Sequence, residues 1–456
     1  MLVRFMKGSR NTLVEKDGIQ ELHIGYGEAL PLTRRKAILQ YRKVIAVAKE
    51  YKLSTIVLEW HDLKAAIPRD AAESEVASLV GTAFCMADYE HTTYKEKPKG
   101  GFPTVDSVTV LGASKEVERG LRRGLTIGEH VNACRELANT PGGDMTPKSL
   151  ALAAKKAAAG SGATVRVLGK KDMEKLGMGA VLGIGRGSAD EPQFIMVEYW
   201  GTKKSEKPVV FVGKGVTFDT GGLNIKTGDH MYEMHMDMSG GAAVIYATIL
   251  AARLGVKTNV VALVPAVENA PGPGAVHPGD MLKSLSGKTI EILNTDAEGR
   301  VILADGITYA KRYNPSIVVD VATLTGASLV AIGTQCSAFM TNTMEMVPRL
   351  MDMAEQSGDY LWPFPLWEEY DAMVKGTFGD VPNISTMGNS RDGGVIAGGK
   401  FLEVFAKELG CPWVHIDMAP RMTSVQGDHL AKGAAGEPVR LLLTIAEHYA
   451  TTTAQR

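Results

Sequence analysis

Three short stretches of the chain hold most of the residue types that can do chemistry. The first runs Val212-Gly-Lys214-Gly-Val-Thr-Phe-Asp219-Thr-Gly221-Gly222-Leu-Asn-Ile-Lys226. The second is Met234-His235-Met236-Asp237-Met238, and the third is Asn294-Thr-Asp296-Ala-Glu298-Gly-Arg300. Asp296 and Glu298 stand two apart after an apolar run, and on extended backbone that spacing sends both carboxylates to one side. Such neighbours repel, and one pKa rises unless a divalent cation removes the penalty. Hard oxygen ligands suit magnesium, manganese or zinc. Asp219 lies in a glycine-rich stretch, and Asp237 lies among methionines, where an unpaired carboxylate is costly. If the three stretches converge, four carboxylates are enough for two metals roughly 3.5–4 Å apart, the spacing used in two-metal hydrolysis. Lys214, Lys226 and Arg300 would add cations, Arg300 being placed to hold an anion near the metals.

Blander readings compete with each piece. A lone Asp-x-Glu at a strand end is usually a surface turn, and a glycine-rich loop is often only a loop. The stretch from Val212 lacks the residue order of a phosphate-binding loop. Gly183-Ile-Gly185-Arg-Gly187 lacks the third glycine of a dinucleotide fingerprint. No His-Glu-x-x-His is present, which disfavours a mononuclear zinc peptidase of that type. His235 and His415 read as packing or hydrogen-bonding residues, and the methionines around Asp237 as core.

The elements that must position these residues follow an α/β pattern. Residues 1–115 read as a smaller α/β N-terminal domain. It has a helix feeding the strand Thr55 to Leu58, a second helix over 70–89, a surface loop over 94–101 and a strand from Ser107 to Leu111. Residues 116–456 read as the catalytic domain, opened by a linker helix over 116–140. Val117, Leu121 and Leu125, then Val131, Cys134 and Leu137, form its apolar stripe. Asn139-Thr-Pro141-Gly-Gly143 ends it, and Thr146-Pro147 starts the next helix. Strand-like runs follow at 164–168, 194–199, 208–212, 259–264, 289–293, 316–321 and 413–417, with helices between, as over 240–254 and 300–313. Several runs are apolar on both faces, which fits a mostly parallel central sheet flanked by helices. Ligand sites in such sheets lie at the carboxyl ends of strands, where the three stretches fall.

Bulk composition is neutral ground. With 50 Lys plus Arg against 51 Asp plus Glu, no charge excess points to nucleic acid or an anionic membrane. The four cysteines are scattered, without a Cys-x-x-Cys pair, which argues against a disulfide framework or a thiolate zinc site. No apolar stretch reaches membrane-spanning length and no signal-like run opens the chain, so the expectation is a protein of a reducing compartment.

At the three stretches the chain resembles the leucyl aminopeptidase (M17) family of cytosolic metallopeptidases. Asn294 to Arg300 matches that family's signature whole. The Val212–Lys226 and Met234–Met238 stretches occur in its order and spacing, as do Asn139-Thr-Pro141, Asp320 to Ala327 and Val439-Arg440-Leu-Leu. The similarity covers roughly residues 116–456; residues 1–115 match only loosely. The resemblance implies an aminopeptidase that removes N-terminal residues, Leu and Met preferred, by attack of a water or hydroxide held between two divalent metals. The metals would be Mn or Zn, with Mg a third candidate. Asp219 and Glu298 would bridge them, Asp296 would complete one site, and Lys214 with Asp237 the other. Lys226 would stabilise the oxyanion, and Arg300 would hold a bicarbonate as general base. Met234, Asn294, Thr323, Leu324 and Met418 would bind the substrate. The resemblance further implies a cytoplasmic homohexamer, a dimer of trimers, acting on peptides. His235, Pro420 and Gly393 to Lys400 depart from the pattern, which bears on side-chain preference and subunit packing rather than on the chemistry. A dinuclear phosphoesterase and a nucleic-acid-binding scaffold are the competing functions.

Overall fold

The computed structural model describes residues 1–454 apart from 17, 69–70 and 389–391. The chain divides into two units: Met1–Ala133 with Ser424–Ala435, and Cys134–Thr423 with Gly436–Arg456. The division falls inside the helix Lys115–Ala138, the element expected as the linker.

In the first unit, β1 (Leu2–Met6), β2 (Asn11–Lys16), β3 (Ile19–Gly25), β4 (Thr55–Glu59) and β5 (Ser107–Leu111) form a sheet in the order β2-β3-β1-β4-β5. All its pairings are parallel except β2 with β3. Alternate residues Val3, Leu22, Ile24, Ile56 and Leu58 turn inward onto the helices Arg34–Glu50 and Glu73–Asp88 through Tyr41, Val44, Val76 and Val80. Thr33 caps the first of these helices by accepting from the amide of Lys36. The second was expected over 70–89; it begins at Glu73, and position 70 lies outside the described residues.

The second unit is built on a longer sheet. Its strands are β6 (Thr164–Leu168), β7 (Gln193–Trp200), β8 (Val209–Gly213), β9 (Gly215–Asp219), β10 (Asn259–Asn269), β13 (Ile317–Ala322), β14 (Ser337–Thr341), β15 (Leu361–Pro363) and β17 (Trp413–Asp417). β11 (Met281–Lys283), β12 (Thr289–Glu291) and β16 (Val381–Pro382) make a small separate sheet. The long sheet runs β15-β14-β17-β13-β8-β10-β7-β6, with β9 also paired to β10. The middle, β17-β13-β8-β10, is parallel, and β6, β7 and the β14–β17 pair supply the antiparallel contacts. β8 and β13 are buried at every residue, as expected of strands covered on both faces. Helices Ser239–Arg253 and Glu298–Ala310 both pack on β8 and β10. Every strand run read from sequence in this region is a strand here, within two residues at its ends except for one. The run at 289–293 stops two residues early, at Glu291, and the exception, β10, continues five residues past its expected end, to Asn269.

Candidate active site

Lys214 follows β8 and Asp219 ends β9, so the first half of the stretch expected as a glycine-rich loop is strand and only the second half is loop. The parallel pairing of β9 to β10 overrides the weak strand propensity of Gly and Asp. Beyond Asp219 the chain reverses through Gly221 and Gly222, at φ +86° and +63°, where a side chain would be strained. That reversal sends Lys226 back toward Asp219. Asp237 lies in the turn ahead of the helix Ser239–Arg253, and Glu298 is the first residue of the helix Glu298–Ala310. Asp296 and Glu298 do project together, but not by strand alternation: Asp296 sits in a turn and Glu298 in the first helical turn.

The three stretches converge. Oxygens of Asp219, Asp296 and Glu298 lie within 4.8 Å of one another. Asp237 joins them through Lys214, whose Nζ stands 2.7 Å from Asp237 Oδ2 and 2.9 Å from Glu298 Oε1. Lys214 Nζ also donates to the carbonyl of Thr323 at 3.0 Å, so the ammonium sits among two carboxylates and a carbonyl. Gly299 makes room for this lysine, because a Cβ there would stand 2.6 Å from Lys214 Cε. Lys226 Nζ bridges Asp219 Oδ2 at 2.8 Å and Asp296 Oδ1 at 2.5 Å.

Burial sets the electrostatics. It would lower both lysine pKa values, but the surrounding carboxylates outweigh it and hold both ammonium groups above the ordinary lysine value. Burial, with the Asp219 charge, pushes Glu298 up to about 8 and Asp237 up to about 6, against the pull of Lys214. Asp296 is raised as well, again chiefly by burial. Four carboxylates share two ammonium groups, so the cluster carries unmet negative charge. Glu298 Oε2 has no hydrogen-bond partner among the described residues. Asp237 Oδ2 and Asp296 Oδ1 are within ion-pair distance of the lysines, yet off the directions a hydrogen bond requires. Buried acceptor oxygens aimed at one another are what divalent cations neutralise, and the donor set fits them.

Arg300 is buried, and burial pushes its guanidinium down to about 10, with Asp417 and Glu298 pulling the other way. Its Nη1 donates to the carbonyl of Asn383 at 3.0 Å, while its Nε has no partner among the described residues. A buried, unpartnered donor suits a small anion.

The acidic cluster floors a cavity of about 440 Å³. Met234, Thr323 and Leu324, three of the five expected substrate residues, line it. Met418 does not: its side chain is buried, and Ala419 and Met422 stand on the wall instead. Asn294 is not on the wall either; its Oδ1 accepts from the amide of Asp296 two residues on, at 2.8 Å, which fixes the turn that carries Asp296. Two supporting residues, Asn269 and Asn383, were not singled out from the sequence. Asn269, 1% exposed at the end of β10, donates to Asp219 Oδ1 at 2.8 Å and to the carbonyl of Thr295 at 3.0 Å, joining two ligand-bearing turns. Asn383 Oδ1 accepts from the amides of Leu293 and Asn294, and its Nδ2 donates to the Asn294 carbonyl. Thr323 Oγ1 donates to Asp237 Oδ1 at 2.5 Å. The one available signal was a polar residue closing a buried strand, as Asn269 does.

Comparison with known proteins bears on the same residues. The catalytic-domain model of the cytosol aminopeptidase family matches residues 132–443. A probable cytosol aminopeptidase of Azoarcus sp. is 46% identical over 329 residues, covering 72% of this chain and 64% of that protein. The chain therefore spans less than two thirds of that relative's length. One from Bacillus subtilis is 39% identical over 409 residues, covering 89% and 80%. Among solved structures, the bottromycin maturation enzyme BotP superposes with a TM-score of 0.87 at 27% identity, covering 99% of both chains. BotP has also been solved in complex with Mn. A tomato leucine aminopeptidase variant gives 0.85 at 28% identity, covering 97% of this chain and 84% of its own.

Proposed function

The chain belongs to the cytosol aminopeptidase family, and from that premise we propose that it is a metal-dependent aminopeptidase releasing N-terminal residues, apolar ones preferred, from peptides. One observation carries the reading: Asp219, Asp296 and Glu298, with Asp237 beside them, point buried oxygens at one another on the floor of an open cavity. Lys214, Asp219, Asp237, Asp296 and Glu298 would hold two divalent ions, manganese or zinc with magnesium a third candidate. When bound, such ions supply Lewis-acid polarisation of a carbonyl and activation of water.

The chain's own residues do the rest. Lys226 exchanges its pairing with Asp219 and Asp296 for the oxyanion that develops on the scissile carbonyl, a preorganised electrostatic role. Arg300, whose buried Nε has no partner among the described residues, would hold a bicarbonate, which would supply a proton acceptor there. The acidic floor receives the substrate's free α-amine, which restricts cleavage to the chain end. Met234, Leu324, Ala419 and Met422 present apolar atoms to the first side chain. Asn294 and Met418, off the cavity surface, act through their neighbours. Residues 1–115 and 116–456 are the functional domains of this reading. A homohexamer, a dimer of trimers, belongs to this reading too, as does a place in the cytoplasm, which the cytosolic naming of the relatives supports. No described helix is long and apolar enough to cross a membrane.

A second reading, a dedicated maturation peptidase, is favoured by the full-length match to BotP. The test is hydrolysis of leucine p-nitroanilide by metal-stripped protein with manganese, zinc or magnesium restored singly. Release that needs both metal and a free amine supports the general exopeptidase. Folded protein inert on that substrate and on a panel of free peptides, yet active on one long precursor, would favour the maturation reading. Release of phosphate from p-nitrophenyl phosphate instead would overturn both.

A further inference from the structure

Asp417 ends β17 where two cavity walls begin, and it is fully buried. Its Oδ1 accepts from the amides of Leu324 at 3.1 Å, Thr325 at 3.4 Å and Ala419 at 3.2 Å. Its Oδ2 accepts from the Thr325 hydroxyl at 2.6 Å. One carboxylate thus ties the turn after β13 to the turn after β17. Leu324, Thr325 and Ala419 all line the cavity. Thr325 is held a second time, because its Oγ1 also caps the helix Gly326–Ile332 by accepting from Ser328 N at 3.1 Å. Leu329 of that helix is on the cavity wall too. On the far side of the same turn, the Thr323 carbonyl accepts from Lys214 Nζ.

Four donors converge on this side chain, and only a group that accepts at both oxygens and donates at neither satisfies them all. An apolar residue would leave three amides buried or half-buried without it. The carboxylate also offsets part of the burial penalty on the Arg300 guanidinium.

We propose that Asp417 is a positioning residue: it fixes the wall against which the substrate's N-terminal side chain is read. The proposal rests on the aminopeptidase reading and deepens it, assigning selectivity to a residue that never touches substrate.

The test is the span of kcat/KM across leucine, methionine, alanine and lysine p-nitroanilides, from best to worst. That ratio does not depend on how much of the enzyme is folded, so a loss of stability alone leaves it unmoved. Asp417→Ala should compress the span about tenfold, the scale on which pocket fit discriminates. Asp417→Asn keeps an acceptor for the three amides and should hold the span closer to wild type. Should Asp417→Ala fail to fold, Thr325→Val decides alone, since it removes only the hydroxyl's two bonds; a several-fold compression is expected. A span unchanged within about twofold in each variant that folds overturns the proposal. A wild-type protein inactive on the whole panel would sink the peptidase reading itself, a distinct result that takes the proposal with it.

Discussion

Consider replacing Lys214 with methionine, which keeps the length and apolar stem but removes the ammonium. Lys214, Asp237 and Glu298 are each no more than 3% exposed. The ammonium stands 2.7 and 2.9 Å from the two carboxylates, and it also satisfies the Thr323 carbonyl. Removing one partner of a buried ionic set typically costs about 3–5 kcal/mol, because the remaining charge is stranded. Gly299 packs on the lysine stem, so methionine introduces no clash that could mimic the effect. At about 2.1 cal/mol/K per residue, a unit of about 310 residues loses about 1.5 °C of Tm per kcal/mol, so the fall should be about 5–8 °C. The assay is a thermal melt of protein stripped with chelator, wild type against Lys214→Met. Manganese or zinc at about a hundredfold over Kd contributes about 2.7 kcal/mol to a protein that binds it; with Lys214 among the ligands the wild type gains more, so the gap should widen. A fall under about 2 °C in chelator would refute the view that this lysine is the cluster's main countercharge.

Other outcomes follow from the same geometry. Glu298→Ala or Asp219→Ala should abolish p-nitroanilide hydrolysis, and wild-type-like turnover in either would sink the two-metal assignment. Lys226→Ala should lower kcat by about 10²–10³ with a smaller change in KM, as expected of an oxyanion partner; steady-state kinetics showing the reverse split would reject that role. Asn269→Leu loses a bond to a carboxylate and one to a carbonyl, so urea denaturation should show a loss of about 2–4 kcal/mol. Burial pushes Asp305 up to about 7, against the pull of three backbone amides. The folded state therefore holds this proton more tightly than the unfolded chain. Its contribution to stability is present at low pH and is lost as pH rises from about 4 to about 7. The difference in urea midpoint between pH 5 and pH 7.5 should shrink in Asp305→Asn, and an unaltered difference would count against the assignment.

The sheet was legible because its parallel strands are apolar at successive residues, a pattern that only burial on both faces explains. β9 was not legible: Gly215-Val-Thr-Phe-Asp219 carries two poor strand formers, and its pairing with β10 lies outside local sequence. β14, Ser337–Thr341, escaped for a related reason, since a strand without β-branched runs owes its state to its neighbours. In the site, the charged residues announced themselves by type. The pairing of Asp296 with Glu298 was anticipated, but through strand alternation, whereas a turn and a helix start produce it. Asn269 and Asn383 were invisible because their partners stand 50 and 89 residues away, and asparagine has ordinary uses everywhere. The same holds for Asp417, an acidic residue at a strand end that local pattern gives no reason to prefer.

The strand order has a consequence for how the site comes into being. β8, which delivers Lys214, lies between β13 and β10, and β17 pairs beyond β13. The cavity floor and walls therefore draw on residues from Lys214 to Met422, brought together only by parallel pairings that close long loops. Such pairings form late, after the loop-closure entropy has been overcome. A refolding chain should regain helical signal well before it regains any capacity to retain metal. On that order, any ions the cluster takes up would arrive at a sheet already assembled, and recovery of activity would mark the last step of its closure.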